Sequence, residues 1–361
     1  MKENSAKKWF ITCIGILTAL LAAFALVAII VDPYFHYHAP LPFLKYRLYE
    51  ERYTNDGISR HFDYDAVITG TSMAQNFKPS EMDALFGTHA VKETFSGAGY
   101  QEISQNLERA LSRNENLLTV LWTLDYNGLL QEYDWSQYEE YPTYLYDNNP
   151  FNDVCYLLNK SILYHGTLQN ITMTLAGHGS TTMDEYSSWK RETGLDAIMN
   201  AYGRKGINTN VPKDFDEEAL QVVTQTITAN IVDVVNRHPE TNFYIFYTPY
   251  SIVYWDSMNI RGTIERQIAA EQTATELLLA CPNVKLYSFF DQYEVICNPD
   301  YYSDDGHYNA EVNSRILSWI AEDTGLITWE NYKERLARQQ TFYLTYDYES
   351  IFAGYPEFLL P

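Results

Sequence analysis

Two short stretches carry residue types that could do covalent chemistry. The first is Gly70-Thr71-Ser72, which follows a β-branched run at 65–70 and leads into Met73-Ala74-Gln75-Asn76. A serine at a strand-to-helix turn projects its hydroxyl over the carboxyl end of a sheet, beside helix-start amides that can receive an anion. The same position also suits a plain helix N-cap. The second is Asp304-Asp305-Gly306-His307, just ahead of a helical pattern at 310–324. A carboxylate three residues before a histidine can bond one ring nitrogen and leave the other for a serine, which makes the serine a nucleophile. Asp304 has that offset. The acidic stretch alone also reads as a helix-capping turn.

Whether the two stretches meet depends on the elements between them. Runs at 65–70, 117–124, 242–248 and 284–290 read as strands, and 80–85, 101–113, 217–237, 264–280 and 310–324 have helical spacing. The continuous apolar run at 117–124 is typical of a strand covered on both faces. Strands alternating with helices predict right-handed crossovers and a mainly parallel sheet with helices on both faces, a three-layer α/β domain. A parallel topology puts the serine after the first strand and the Asp-x-x-His after the last at one sheet edge. The domain is expected over 64–130 and 216–328. Residues 131–215 break the rhythm with a stretch rich in Tyr, Asn, Gly and Ser, too long for a loop, and read as an inserted cap that shapes a binding site. Residues 329–361 read as a C-terminal helix and aromatic tail, and 32–63 as an aromatic connector.

Residues 9–31 form a 23-residue run without a charge, long enough as a helix (~35 Å) to cross a bilayer. Lys2, Lys7 and Lys8 precede it, so the expected anchor, residues 1–31, is a single pass with a cytoplasmic N-terminus and the main domain outside. A cleaved signal peptide is the competing reading, through Ala23-Phe24-Ala25, but the apolar run continues well past that point. The 25 Lys and Arg against 47 Asp and Glu give a net charge of −22, which argues against a nucleic-acid partner. Cys13, Cys155, Cys281 and Cys297 show no zinc-site spacing, and Cys281 with Cys297 could close a short loop. His36 and His38 read as packing at the membrane interface in preference to a metal site.

With these residues in place, the sequence resembles the SGNH/GDSL hydrolase superfamily. Gly70-Thr71-Ser72 matches its nucleophile block, and Asp304 with His307 matches its closing Asp-x-x-His block. Phe95-Ser96-Gly97-Ala98-Gly99 stands where the family has a glycine whose amide serves the oxyanion hole, and Gly97 is the match. The third block, Gly-x-Asn-Asp, is departed from: Leu124-Asp125-Tyr126-Asn127 stands there, with Asn127 as an amide donor and Asp125 as a loop orienter. The resemblance covers about 64–130 and 240–325. It implies an SGNH-like, flavodoxin-like fold and a serine acyl hydrolase or acyltransferase in which Ser72 attacks, His307 moves the proton and Asp304 orients the imidazole. It implies an oxyanion hole from Ser72, Gly97 and Asn127, and needs no metal or organic cofactor.

With its anchor, the chain is similar to the membrane-tethered branch that decorates cell envelopes, including the D-alanine transfer protein of the lipoteichoic acid pathway and the alginate O-acetylation proteins. That branch implies an envelope glycan or polymer as acyl acceptor and a membrane-bound O-acyltransferase as partner. The segment 247–255 looks like a recurrent one of such proteins, with Tyr250 and Trp255 on the substrate side or in plain packing. The rival reading is a tethered binding or assembly protein that keeps the fold without catalysis.

Overall fold

The computed structural model describes residues 2–138, 141–356 and 358–359. The chain forms two compact units, residues 1–63 with 140–182, and residues 64–139 with 183–361. The stretch 131–215 expected as one inserted cap therefore divides between them.

In the first unit the apolar run lies in a helix, Lys2–Val31, long and apolar enough to cross a membrane. Part of the stretch read as a connector is a helix, Glu51–His61. The unit's small core joins Tyr34, Leu145, Tyr156 and Ile162. At the end of the long helix Asp32 is buried, and its carboxylate accepts the Tyr156 hydroxyl at 2.8 Å and the amides of His36, Tyr37 and His38 at 2.7 to 3.0 Å. The two histidines have structural partners, His36 Nε2 on Asp153 at 3.3 Å and His38 on the carbonyls of Ala39 and Ile29.

The second unit holds a six-stranded sheet in the order β2-β1-β3-β4-β5-β6. The strands are β1 (Ala66–Gly70), β2 (Ala90–Thr94), β3 (Thr119–Leu124), β4 (Asn242–Tyr247), β5 (Val284–Ser288) and β6 (Leu326–Ile327). The first five are parallel, in the flavodoxin-like doubly wound order, and β6 is an antiparallel edge on β5. Pro79–Phe86 packs with Ala310–Ala321 on one face. Tyr100–Arg113, the helical stretch from Glu217–Ile227 to Asp233–Arg237, and Ile264–Leu279 cover the other. Helices on both faces bury β1 and β3, so their sequences run largely apolar without alternation.

β2 has no continuous apolar run, and β6, Leu-Ile, is only two residues long. In β2, Ala-Val-Lys-Glu-Thr, every residue is buried, including Lys92 and Glu93. The Lys92 ammonium donates to the carbonyls of Gln75 (2.6 Å) and Phe77 (3.1 Å), and Glu93 accepts the Asn106 amide at 2.5 Å. These partners lie 13 to 17 residues away, outside the strand, so local pattern misses it. The tail packs on this unit: Tyr343 stacks on Trp255 with centroids 3.7 Å apart, and buried Arg204 bridges Asp256 and Glu349. Cys281 and Cys297 are both free thiols.

One buried acid has a thermodynamic consequence. Glu271 on Ile264–Leu279 is buried beside Tyr126 and accepts the Gln339 amide at 2.7 Å. Burial raises its carboxyl from 4.5 to about 8, against the pull of the hydrogen bonds from Gln339 and Tyr126. Between those two values the folded state holds a proton that the unfolded state has lost, so raising the pH through this window favours unfolding. The thermal midpoint of the wild type is expected to fall between about pH 5 and pH 8 more steeply than that of Glu271→Gln. The difference should be gone below about pH 4.5, as measured by differential scanning calorimetry on the full chain in detergent.

Candidate active site

β1 ends in Gly70, whose φ is 144°; a Cβ there would collide with the Thr123 hydroxyl on neighbouring β3. The chain then turns through Ser72–Ala74, a single 3₁₀ turn, and the next helix begins only at Pro79. The helix start expected beside Ser72 is thus a single 3₁₀ turn, and the helical spacing at 80–85 is the helix Pro79–Phe86. The cap of the turn is Thr71, whose hydroxyl accepts the Met73 amide at 3.3 Å. Ser72 is thereby free of capping, and its Oγ lies 2.8 Å from His307 Nε2.

His307 is fixed from its other nitrogen. Nδ1 is 2.8 Å from Asp304 Oδ2 and 3.0 Å from Oδ1. Oδ1 also accepts the amides of His307 (2.7 Å) and Gly306 (3.0 Å), so the carboxylate has one orientation. Burial opposes its ionisation, but the His307 hydrogen bond and charge and the two amides outweigh burial and hold Asp304 below the usual carboxylate range. Asp305 goes the other way: burial and the neighbouring Asp304 charge raise it. Its backbone carbonyl, not its carboxylate, receives Ser251 through the amide (3.2 Å) and the hydroxyl (2.7 Å).

The site lies where the strand order reverses, between the carboxyl ends of β1 and β3, the usual ligand crevice of a doubly wound sheet. A cavity of about 430 Å³ there is lined by Ser72, Asp304 and His307, and by Gly97, Asn127 and Tyr250. Gly97 has φ 66°, a left-handed value that favours glycine, with the Gln137 side chain where a Cβ would sit. Asn127 Oδ1 accepts the Tyr254 hydroxyl at 3.1 Å, which leaves the amide NH₂ as the donor for the cavity. Asp125 is buried and takes three hydroxyls, from Thr71 (2.5 Å), Tyr250 (3.0 Å) and Thr248 (3.2 Å). Burial raises its carboxyl against those donors and the His307 charge.

Of the expected site residues, only Trp255 stays away from the cavity. It is fully buried between Tyr126 and Tyr343 and serves the core. The helix Ile252–Arg261 turns it inward while Tyr254, its neighbour, lines the cavity. Sequence patterning missed the contacts that Trp189 and Arg191 make to the site residues. Trp189 meets the His307 ring edge-on at 5.6 Å, its Nε1 donates to the Ser72 carbonyl at 3.4 Å, and its amide donates to Asn76 at 2.9 Å. Arg191 stacks over Trp189 at 4.7 Å and reaches Asp304 Oδ2 at 3.5 Å. A lone Ser-Ser-Trp-Lys-Arg in a polar stretch carries no spacing signal for this role.

No protein-family profile matches the chain. No curated protein matches it either. Among solved structures, one from Streptococcus pneumonia, described as a candidate platelet activating factor, aligns over 76% of this chain and 90% of its own. It does so at 14% identity and a TM-score of 0.38. A likeness of that order carries nothing about chemistry, which rests on the geometry alone.

That geometry separates the adjacent aspartates. Asp304→Asn is expected to lower kcat/KM for an activated ester such as p-nitrophenyl acetate by up to ~10⁴-fold, because the wrong imidazole tautomer then faces Ser72. Asp305→Asn, which leaves the Ser251 contacts intact, is expected to change it far less. The reverse ranking in steady-state assays would reassign the acid.

Proposed function

We propose that the protein is a serine acyl hydrolase or acyltransferase of SGNH type, tethered to the membrane and acting on an ester of a cell-envelope glycan or polymer. The observation that carries the reading is the continuous contact from Asp304 through His307 to Ser72, 2.8 Å at each link. A serine hydroxyl of ordinary acidity is a weak nucleophile, and a base within hydrogen-bond reach is what activates it. In the proposed reaction Ser72 Oγ forms a bond to the ester carbonyl carbon while His307 Nε2 takes the hydroxyl proton. The carbonyl electrons move to the oxygen, which the amides of Ser72 and Gly97 and the Asn127 NH₂ receive. As the oxyanion collapses, the carbon–oxygen bond to the leaving group breaks and His307 returns the proton to the departing alcohol. Water or an acceptor hydroxyl then attacks the acyl carbon with His307 taking its proton, and the bond from that carbon to Ser72 Oγ breaks as His307 returns the proton to Oγ. Asp304 keeps Nδ1 protonated throughout and stabilises the imidazolium.

Hydrolysis and transfer share this machinery and differ only in the second nucleophile. A tether favours transfer, since it keeps the enzyme with a membrane-delivered donor, and a membrane-bound O-acyltransferase is the partner this reading calls for. The Lys2–Val31 helix supports the tether by its length and apolar character, and the three lysines ahead of the uncharged run support an extracytoplasmic catalytic unit. The departure of the third block favours the rival reading, a binding protein; Asn127 and Gly97 lining one cavity with Ser72 favours the enzyme.

The full chain in detergent is expected to react with a fluorophosphonate probe and to carry the adduct on Ser72 by peptide mass mapping. Ser72→Ala should abolish labelling, and His307→Ala should nearly abolish it with the circular dichroism unchanged. Folded protein that the probe leaves untouched, or an adduct on Thr71, would contradict the proposal.

A further inference from the structure

Within the first unit, the Lys2–Val31 helix is bare along most of its length and covered only near its end, where Ala28 and Val31 are buried. The covering elements are Val154–Leu157 and Ile162–Leu168, which continues into Gln169–Leu175. They belong to a stretch, 151–175, with only two formally charged residues, Asp153 and Lys160. The stretch turns large apolar side chains outward: Phe151 is 90% exposed and Leu175 83%, and Val154, Leu158, Tyr164 and Leu168 are exposed as well. Water-soluble surfaces rarely gather so much apolar area on so short a segment.

We infer that residues 151–175 form a second membrane contact, a helical element seated in the interface of the leaflet in which the Lys2–Val31 helix ends. The inference rests on the membrane-spanning reading of that helix and goes beyond it. Two observations select lipid as the covering partner. The exposed side chains are continuous with the helix surface: an apolar groove of about 400 Å³ runs between Phe24 and Val27 of the helix and Leu158, Leu163, Leu168 and Ile171 of the segment. The depth also fits. Val27 and Phe24 lie four and seven residues before Val31, or about 6 and 10 Å along the axis. Interfacial helices bury their apolar faces ~5–10 Å into the boundary between headgroups and acyl chains. A lipid chain fills the groove in this arrangement, and Lys160, which also lines it, extends its ammonium towards a headgroup phosphate.

The test is acyl-chain photolabelling. The full chain is reconstituted in phosphatidylcholine–phosphatidylglycerol vesicles containing a phosphatidylcholine with a diazirine on its acyl chain, irradiated, and mapped by peptide mass spectrometry. Adducts are expected in both 9–31 and 151–175. Leu168→Asp, at an exposed position, should reduce those in 151–175 several-fold and leave those in 9–31 unchanged. Adducts confined to 9–31 would overturn the inference and leave the anchor standing. Adducts in neither segment would overturn both.

Discussion

The second unit is organised around one buried carboxylate held by hydroxyl donors. Asp125 stands at the end of β3 and receives hydroxyls from Thr71 on the β1 loop and from Thr248 and Tyr250 on the β4 loop. Isolating such a carboxylate in the interior would cost far more than one hydrogen bond returns. Bonds to a charged acceptor contribute ~1.5–3 kcal/mol each, so three of them favour the conformation that brings all three donors in. Thr71 is the residue before Ser72, the proposed nucleophile. The β4 loop passes the constraint on, because Ser251 grips the Asp305 carbonyl and so fixes the loop that ends in His307. From the other side, Asn313 on Ala310–Ala321 donates to the Met73 carbonyl at 3.1 Å. Ser72 and His307, 235 residues apart, are thus held together by backbone and polar contacts that neither residue makes itself.

Much of this was legible in the sequence, because the signals for β1, β3, β4 and β5 and for most flanking helices are local. Apolar runs and 3.6-residue spacing need no tertiary partner to be read. The meeting of Ser72 with the Asp-x-x-His stretch follows from the topology that periodicity predicts. What stayed hidden depends on distant partners. β2 hides because Lys92 and Glu93 are satisfied by residues outside it. The contribution of Trp189 and Arg191 hides because stacking and a long ion pair leave no period in the sequence. Of the two readings open for Trp255, the structure takes plain packing, because a helix beginning at Ile252 sends successive residues in different directions.

The two units divide the work in the proposed account. The second supplies nucleophile, base and orienting acid at the switch point of a parallel sheet, a place where side chains from separate loops converge without distorting any strand. The first supplies the apolar helix and the segment that covers its end. The cavity beside Ser72 is lined by hydroxyl, amide and carboxyl groups, Tyr250, Asn127 and Asp125 among them.

The claim on which the account turns is that Ser72 becomes acylated. Rapid mixing of the full chain with p-nitrophenyl acetate should give a burst of nitrophenol equal to the enzyme concentration, followed by slower turnover, and acid quenching should trap an acetyl group on Ser72. A burst that is absent while slow hydrolysis persists in both the wild type and Ser72→Ala would contradict it.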